Sequence, residues 1–217
     1  MDELTNTTEP QIAYSECYVL PFFSFYNADN MVIMKTFKDK EFDLAIVDPP
    51  YGIGISSNPF RQKHKKQGWD NAIPNKEYFD ELKRVSKNQI IWGGNYFNLP
   101  PSRCFIVWDK LISEDFTLAM AELAWTSFDK LAKIIRMPTP KDGKIHPTQK
   151  PIKLYRKLLI DYAEKGFKIL DTHGGSFTNA IACDKEGFDL DICEIDSDYY
   201  KNGVQQFQLH KRQQVLF

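Results

Sequence analysis

The sequence predicts an α/β fold, a mainly parallel twisted sheet with helices on both faces, from three observations. Eight short runs rich in apolar, β-branched or aromatic residues recur along the chain. Helical patterns separate several of them, and strands that alternate with helices pair in parallel because each helix carries the chain back to the start of the next strand. The 217 residues, 42% of them hydrophobic, are enough for one sizeable core.

The runs at 22–26, 43–47, 89–92, 104–108, 122–125, 132–135, 168–170 and 190–193 read as strands. Helical spacing marks 30–37, 76–86, 152–164, 178–186 and 198–211. In the helix at 152–164, Tyr155, Leu158, Leu159 and Tyr162 share one face. Pro151 stands at its first turn, where a missing N–H costs nothing, and Gly166 follows its end as a stop. Trp92 and Trp108 sit inside apolar strands and read as core. Residues 1–16 are expected to be loosely attached and 17–217 to form one domain. Two stretches lack periodicity: 52–74, polar, with Arg61, Lys63, His64, Lys65 and Lys66 within six positions, and 137–147, broken by Pro138, Pro140, Gly143 and Pro147.

A formal net charge of −1, from 28 Lys and Arg against 29 Asp and Glu, excludes a protein held on nucleic acid by bulk charge alone. A local basic patch would have to do that work. Cys17, Cys104, Cys183 and Cys193 are far apart, and three lie in apolar runs, so they read as reduced thiols without a metal. The first nine residues are acidic and polar where a secretory signal is basic and then apolar. No run approaches the roughly 18 apolar residues of a membrane span. An intracellular, cytoplasmic protein with no membrane partner is expected.

Asp48-Pro49-Pro50-Tyr51 directly follows the strand at 43–47. A carboxylate at the carboxyl end of a parallel strand lies where open α/β sheets bind ligands. Two prolines stiffen the backbone and leave the carbonyls of Asp48 and Pro49 free to accept hydrogen bonds, and Tyr51 offers a flat face for stacking. Together they suit a planar heterocycle held by its exocyclic amine. A carboxylate and a carbonyl accepting the two amine protons would free the nitrogen lone pair for attack. The four residues alone also allow an Asx-type turn with Tyr51 as a rim aromatic.

A second motif runs through Asp171, Thr172, His173, Gly174, Gly175 and Ser176: a strand, a glycine turn and then a helix. Glycines let backbone approach a ligand, and a helix N-terminus offers N–H groups to an anion. About 20 residues on, the strand at 190–193 ends in Glu194 and Asp196, where an acidic side chain typically takes the hydroxyls of a ribose. A purely structural turn is the alternative.

These residues, with Asp29-Asn30-Met31, the Trp92-Gly93-Gly94-Asn95-Tyr96-Phe97 stretch and His146-Pro147-Thr148-Gln149-Lys150-Pro151, resemble the S-adenosylmethionine-dependent DNA amino-methyltransferases. The resemblance extends over most of the chain. It is specifically to phage-type adenine-specific enzymes, in which the catalytic motif precedes the cofactor motif. The resemblance implies a Rossmann-like methyltransferase fold and methyl transfer to adenine N6 in DNA, within a bacterial or phage-infected cell. Cytosine N4 is the alternative target, and a DNA-binding module without catalysis is the alternative class. No Pro-Cys pair is present to supply the nucleophile of a carbon-5 enzyme.

By the same resemblance Asp48, Pro49 and Pro50 grip the target amine, and Tyr51 stacks on a base flipped from the duplex. Asp171, His173, Gly174, Gly175 and Ser176 line the methionine end of the cofactor, Glu194 binds its ribose and Asp29 its adenine, with an N-cap role for Asp29 as the alternative. Thr148 and Lys150 lie near the cofactor carboxylate. Two positions depart from the family pattern: His173 takes the aromatic position of the turn, and Phe177 takes that of its last glycine, which would set a bulky side chain against the ligand. Asn95 is a further candidate for the pocket rim.

DNA contact is expected from the 52–74 loop, through Arg61, Lys63, Lys65 and Lys66 on phosphates. No separate target-recognition domain is expected. A short or relaxed recognition sequence, or help from a second subunit in a homodimer, is therefore expected. The closing Gln213-Gln214-Val215-Leu216-Phe217 resembles the peptide with which bacterial replication and repair proteins dock on the sliding clamp, a frayed end being the alternative.

Overall fold

The computed structural model describes residues 15–53, 73–140 and 149–214. Its elements in chain order are β1 (Glu16–Leu20), β2 (Phe23–Asn27), α1 (Asn30–Met34), β3 (Phe42–Val47), α2 (Lys76–Val85), β4 (Ser86–Trp92), β5 (Phe105–Asp109), β6 (Ala121–Thr126), β7 (Lys133–Arg136), α3 (Ile152–Tyr162), β8 (Lys168–Asp171), α4 (Thr178–Glu186), β9 (Asp189–Glu194) and α5 (Ser197–Gln214). The strands form a nine-stranded sheet in the order β1-β2-β9-β8-β3-β4-β6-β5-β7. Five consecutive strands, β2, β9, β8, β3 and β4, run parallel. β6 is antiparallel to both β4 and β5, so β5 points the same way as the central five.

Period-two alternation divides the core between the two faces of the sheet. Leu44 and Ile46 of β3 face α3, α4 and α5 in a cluster with Leu154, Leu158, Ala180 and Phe207. Ala45 and Val47 face α1 and α2, with Ile33, Met34, Leu82 and Val85. Strands buried on both faces must be apolar at nearly every position, which is why the central runs were legible. Trp92 and Trp108 are core residues, 0% and 2% exposed. Cys104, Cys183 and Cys193 are buried among the apolar side chains.

Several expectations are corrected. The edge strand β1 went unread: its half-exposed Glu-Cys-Tyr-Val-Leu lacks alternation, and it pairs antiparallel with β2. The first helix stops at Met34, three residues early, while α5 runs three residues past Lys211. Gly166 is not the stop of α3. That helix ends at Tyr162 with Ala163 in extended backbone, and Gly166 belongs to the turn closed by Phe167 N–H on Glu164 O. The left-handed glycine cap occurs instead at Gly187, φ +76°, behind α4.

This topology decides where the acidic groups meet. Because the central strands are parallel, Asn27, Glu194, Asp171 and Val47 are all carboxyl ends on one edge of the sheet. Asp29, Glu194, Asp171 and Asp48 therefore emerge side by side, and Lys110, just past β5, emerges on the same edge.

Candidate active site

Asp48 follows the last buried residue of β3, and its carboxylate is held from two sides. Oδ1 accepts the Tyr51 hydroxyl at 2.6 Å, and Oδ2 accepts the Lys150 ammonium at 2.5 Å. Lys150 stands just before α3 with its side chain 1% exposed. It also reaches Glu122 Oε2 at 3.0 Å, the Tyr51 hydroxyl at 3.3 Å and the ring of Trp92 at 5.0 Å. Glu122, the second residue of β6, is shared with Lys110, whose ammonium lies 2.7 Å from Oε1. Burial raises the Asp48 carboxyl above the usual range against the opposing pull of Lys150. Burial would raise Glu122 too, but Lys150 and Lys110 bring it down to about 2. Burial disfavours the Lys150 ammonium, yet Asp48 and Glu122 hold its pKa above the ordinary value.

The Tyr51 ring is stacked on Tyr96, centroids 5.1 Å apart and planes 14° from parallel, so one flat face is already covered. Tyr96 belongs to the short turn of 3-10 helix Gly94–Tyr96 after β4. Asn95 of that turn is exposed and does not line the cavity described below, so the rim expectation is not met.

The second cluster follows β8 and β9. Asp171, 2% exposed, accepts the His173 N–H at 3.0 Å and the Asn179 amide at 3.0 Å. Its burial pushes the carboxyl up to about 7, and the nearby Asp48 and Glu194 add to the rise. The His173 ring lies against the Thr172 hydroxyl at 2.9 Å and the Asn30 amide at 3.1 Å. Burial lowers the imidazole to about 3, so it is neutral. Glu194 Oε2 accepts the Gly175 N–H at 2.7 Å and Oε1 the Asp196 N–H at 2.8 Å. The Ser176 hydroxyl pairs with that of Thr178 at 2.7 Å. Asp29 caps α1, accepting the Met31 N–H at 2.7 Å, as its alternative reading held, and it also borders the cavity.

A cavity of about 340 Å³ joins the two clusters, within the size range of small-molecule sites. Asp48, Pro50 and Lys150 line one side; Asp29, His173, Gly174, Gly175, Ser176 and Glu194 line the other. The donor set fits an adenosyl amino acid. With four lone pairs, the Glu194 carboxylate keeps acceptor capacity beyond the backbone N–H groups it receives, which suits a ribose hydroxyl. Ile73 and Pro74, the described end of the long loop, also border the cavity. Arg61, Lys63, Lys65, Lys66, Thr148, Leu216 and Phe217 lie outside the described residues, while Gln213 is exposed on α5.

Two placements bear on expectations. The Lys150 ammonium, expected near a cofactor carboxylate, borders the cavity and is engaged by Asp48 and Glu122. Phe177 does not crowd the ligand: its ring is fully buried on the far side of the turn, edge-on to Phe25 at 5.2 Å and to Tyr200 at 6.0 Å. Its backbone is left-handed, φ +54°, which turns the side chain into the core. Gly203 of α5 makes the room, since a Cβ there would fall 2.3 Å from the Phe177 ring.

Sequence reasoning missed Glu122, Lys110, Tyr78 and Asn179. Tyr78 lines the cavity, and its hydroxyl meets that of Thr172 at 2.7 Å. Asn179 carried a signal, as a polar residue amid the apolar run of α4. Glu122 carried none, because its partners are remote in sequence.

Residues 107–205 match a family described as DNA methylase, a span that takes in Glu122, Lys150, Asp171 and Glu194 but not Asp48. Among curated proteins the chain is 24% identical over 214 residues to the type II methyltransferase M2.MboI of Moraxella bovis, covering 74% of this chain and 78% of that one. The solved M1.HpyAVI–SAM complex superposes with a TM-score of 0.59 at 19% identity, over 85% of this chain and 99% of its own. The PvuII DNA methyltransferase, cytosine-N4-specific, superposes with a TM-score of 0.61 at 13% identity, over 88% and 89%. These similarities establish the methyltransferase fold.

Proposed function

We propose that this chain is an S-adenosylmethionine-dependent DNA amino-methyltransferase that methylates the N6 amine of adenine. The amino-methyltransferase class is supported by the DNA methylase match and the fold. The observation that carries the site is the single cavity bordered by the Asp48 carboxylate on one side and by the glycine turn and Glu194 on the other. Adenine over cytosine rests on Asp at the first position of the catalytic tetrapeptide, as in the adenine-specific enzymes the sequence resembles.

In this reading Glu194 takes the ribose hydroxyls and the Gly174–Gly175 turn brings backbone close to the methionine end. Neutral His173 avoids setting a second positive charge beside the sulfonium. When bound, S-adenosylmethionine supplies an electrophilic methyl whose C–S bonding electrons leave with sulfur as the amine forms its N–C bond. Asp48 and the carbonyl of Pro49 accept hydrogen bonds from the two amine N–H groups and draw the lone pair out of the ring, and positioning supplies most of the rate. The methylated nitrogen then releases one proton to solvent. The basic cluster Arg61, Lys63, Lys65 and Lys66 grips phosphates, so affinity falls with salt.

Incubating the protein with DNA and methyl-labelled cofactor, followed by nucleoside analysis, tests the reading. N6-methyladenine is the expected product. N4-methylcytosine would replace the base assignment, and no transfer to any DNA would overturn the enzymatic reading.

A further inference from the structure

We infer that Lys150 and Glu122, with Lys110 at the outer end, form a relay of charges that positions the Asp48 carboxylate and keeps it ionised. This inference rests on the proposed amino-methyltransferase reading. An ammonium with a side chain 1% exposed is tolerated only when its N–H groups are satisfied and its charge is matched. Lys150 has three N–H donors and three acceptors in reach: Asp48, Glu122 and the Tyr51 hydroxyl. Moving it to a cofactor carboxylate would leave the largely buried Asp48 carboxylate without its cation, while Glu122 would keep Lys110, so its place in the site is beside the target amine. Glu122 bridges to Lys110, and the Lys110 N–H on Met120 O at 2.9 Å closes the β5–β6 hairpin at that point. Counted from Asp48 to Lys110, the four groups alternate in sign and are neutral as a whole.

The environment of Asp48 explains the need. Lys150 is the cation that meets it. Among the described residues, Glu122 from β6 and, when ionised, Asp171 from β8 face it with negative charge, and Tyr155 of α3, Tyr78 of α2 and Tyr51 are its other titratable neighbours. Without Lys150, repulsion and burial would protonate Asp48, and a protonated carboxyl accepts an amine N–H poorly. Lys150 and Glu122 are thus positioning residues, acting on the reaction through Asp48.

The test compares Lys150→Met, Lys150→Arg and Glu122→Gln with the wild type. It reads the pH dependence of kcat on a DNA oligonucleotide and the affinity for S-adenosylhomocysteine by calorimetry. Lys150→Met should lower kcat about 100-fold and move the acid limb of the profile up by about one pH unit. Homocysteine-nucleoside affinity should change by less than about threefold, and Lys150→Arg should recover part of the loss with the limb near its original place. Glu122→Gln should give a smaller loss of kcat, by loosening Lys150, and move the acid limb down, because a charge that repels the ionised Asp48 is gone. Weakened S-adenosylhomocysteine binding with an unmoved acid limb would overturn the relay and make Lys150 a cofactor ligand. Should Lys150→Met fail to fold, Lys150→Arg and Glu122→Gln carry the same decision. A wild type that methylates nothing would count against the enzymatic reading alone. The relay is then judged by carboxyl carbon NMR titration of Asp48, which must shift upward in Lys150→Met and downward in Glu122→Gln, where a repelling carboxylate is lost, and is refuted if it does neither.

Discussion

The two halves of the site hold buried carboxylates by different means. On the β8–β9 side, Asp171 and Glu194 accept backbone N–H groups and one amide, donors supplied by the turn itself. On the β3–β6 side, Asp48 and Glu122 accept side-chain ammonium groups and a tyrosine hydroxyl. Backbone donors come with the fold and survive any substitution that preserves the turn. Ionic donors can be removed one at a time, each removal leaving a buried charge unmatched. The cofactor half is therefore a fixed cradle, and the catalytic half is adjustable and vulnerable to single changes.

The contrast is open to attack at four points, beginning with the largest effect on activity. Asp48→Ala should reduce methyl transfer by about 1000-fold while S-adenosylhomocysteine binding stays within about threefold. Single-turnover kinetics beside calorimetry would check this, and parallel losses would erase the division of labour. Glu194→Ala should do the reverse, weakening S-adenosylhomocysteine about 10- to 100-fold with a smaller effect on turnover at saturating cofactor. Unchanged affinity would remove Glu194 from the cradle.

Gly203→Ala should destabilise the protein by about 1–3 kcal/mol in urea unfolding, because the new methyl meets the Phe177 ring. The same change in a Phe177→Leu background should cost less, and equal costs would mean that the two do not meet. The last point concerns pH rather than a packing change. An unfolded Asp titrates near 3.9, whereas Asp171 in the fold titrates at about 7. Between those values the folded chain binds the extra proton, so stability falls as pH rises from about 4 to about 7. Thermal melts across that window should show Tm falling by about 10 °C from this group, and Asp171→Asn should flatten the dependence. A Tm rising equally in both proteins would contradict the assignment.

How much of this was legible follows from the range of the interactions. Asp48, Asp171 and Glu194 stood out because each ends an apolar run, and a parallel sheet brings such ends to one edge whatever the loops do. The strands β2 to β6, β8 and β9 were readable for a related reason: they are buried on one or both faces and patterned accordingly, whereas the mostly exposed edge β7 was read from its paired isoleucines alone. β1 was not, being a half-exposed edge. Glu122 and Lys110 were invisible as site residues because only the pairing of β6 beside β4 carries them within reach of Lys150. The direction of Phe177 was unreadable because it depends on a left-handed φ that an aromatic residue seldom adopts.

The packing of Phe177 against Gly203 also orders events in time. The turn Gly174–Ser176 precedes Phe177 directly, and the ring that anchors it rests on Gly203, Tyr200 and, through Phe25, on Phe207. Those partners on α5 are synthesised some twenty to thirty residues later. The cradle for the cofactor thus takes its final shape only when α5 has docked, and a nascent chain stalled before Tyr200 would carry every cofactor-contacting residue named here and still lack a finished site.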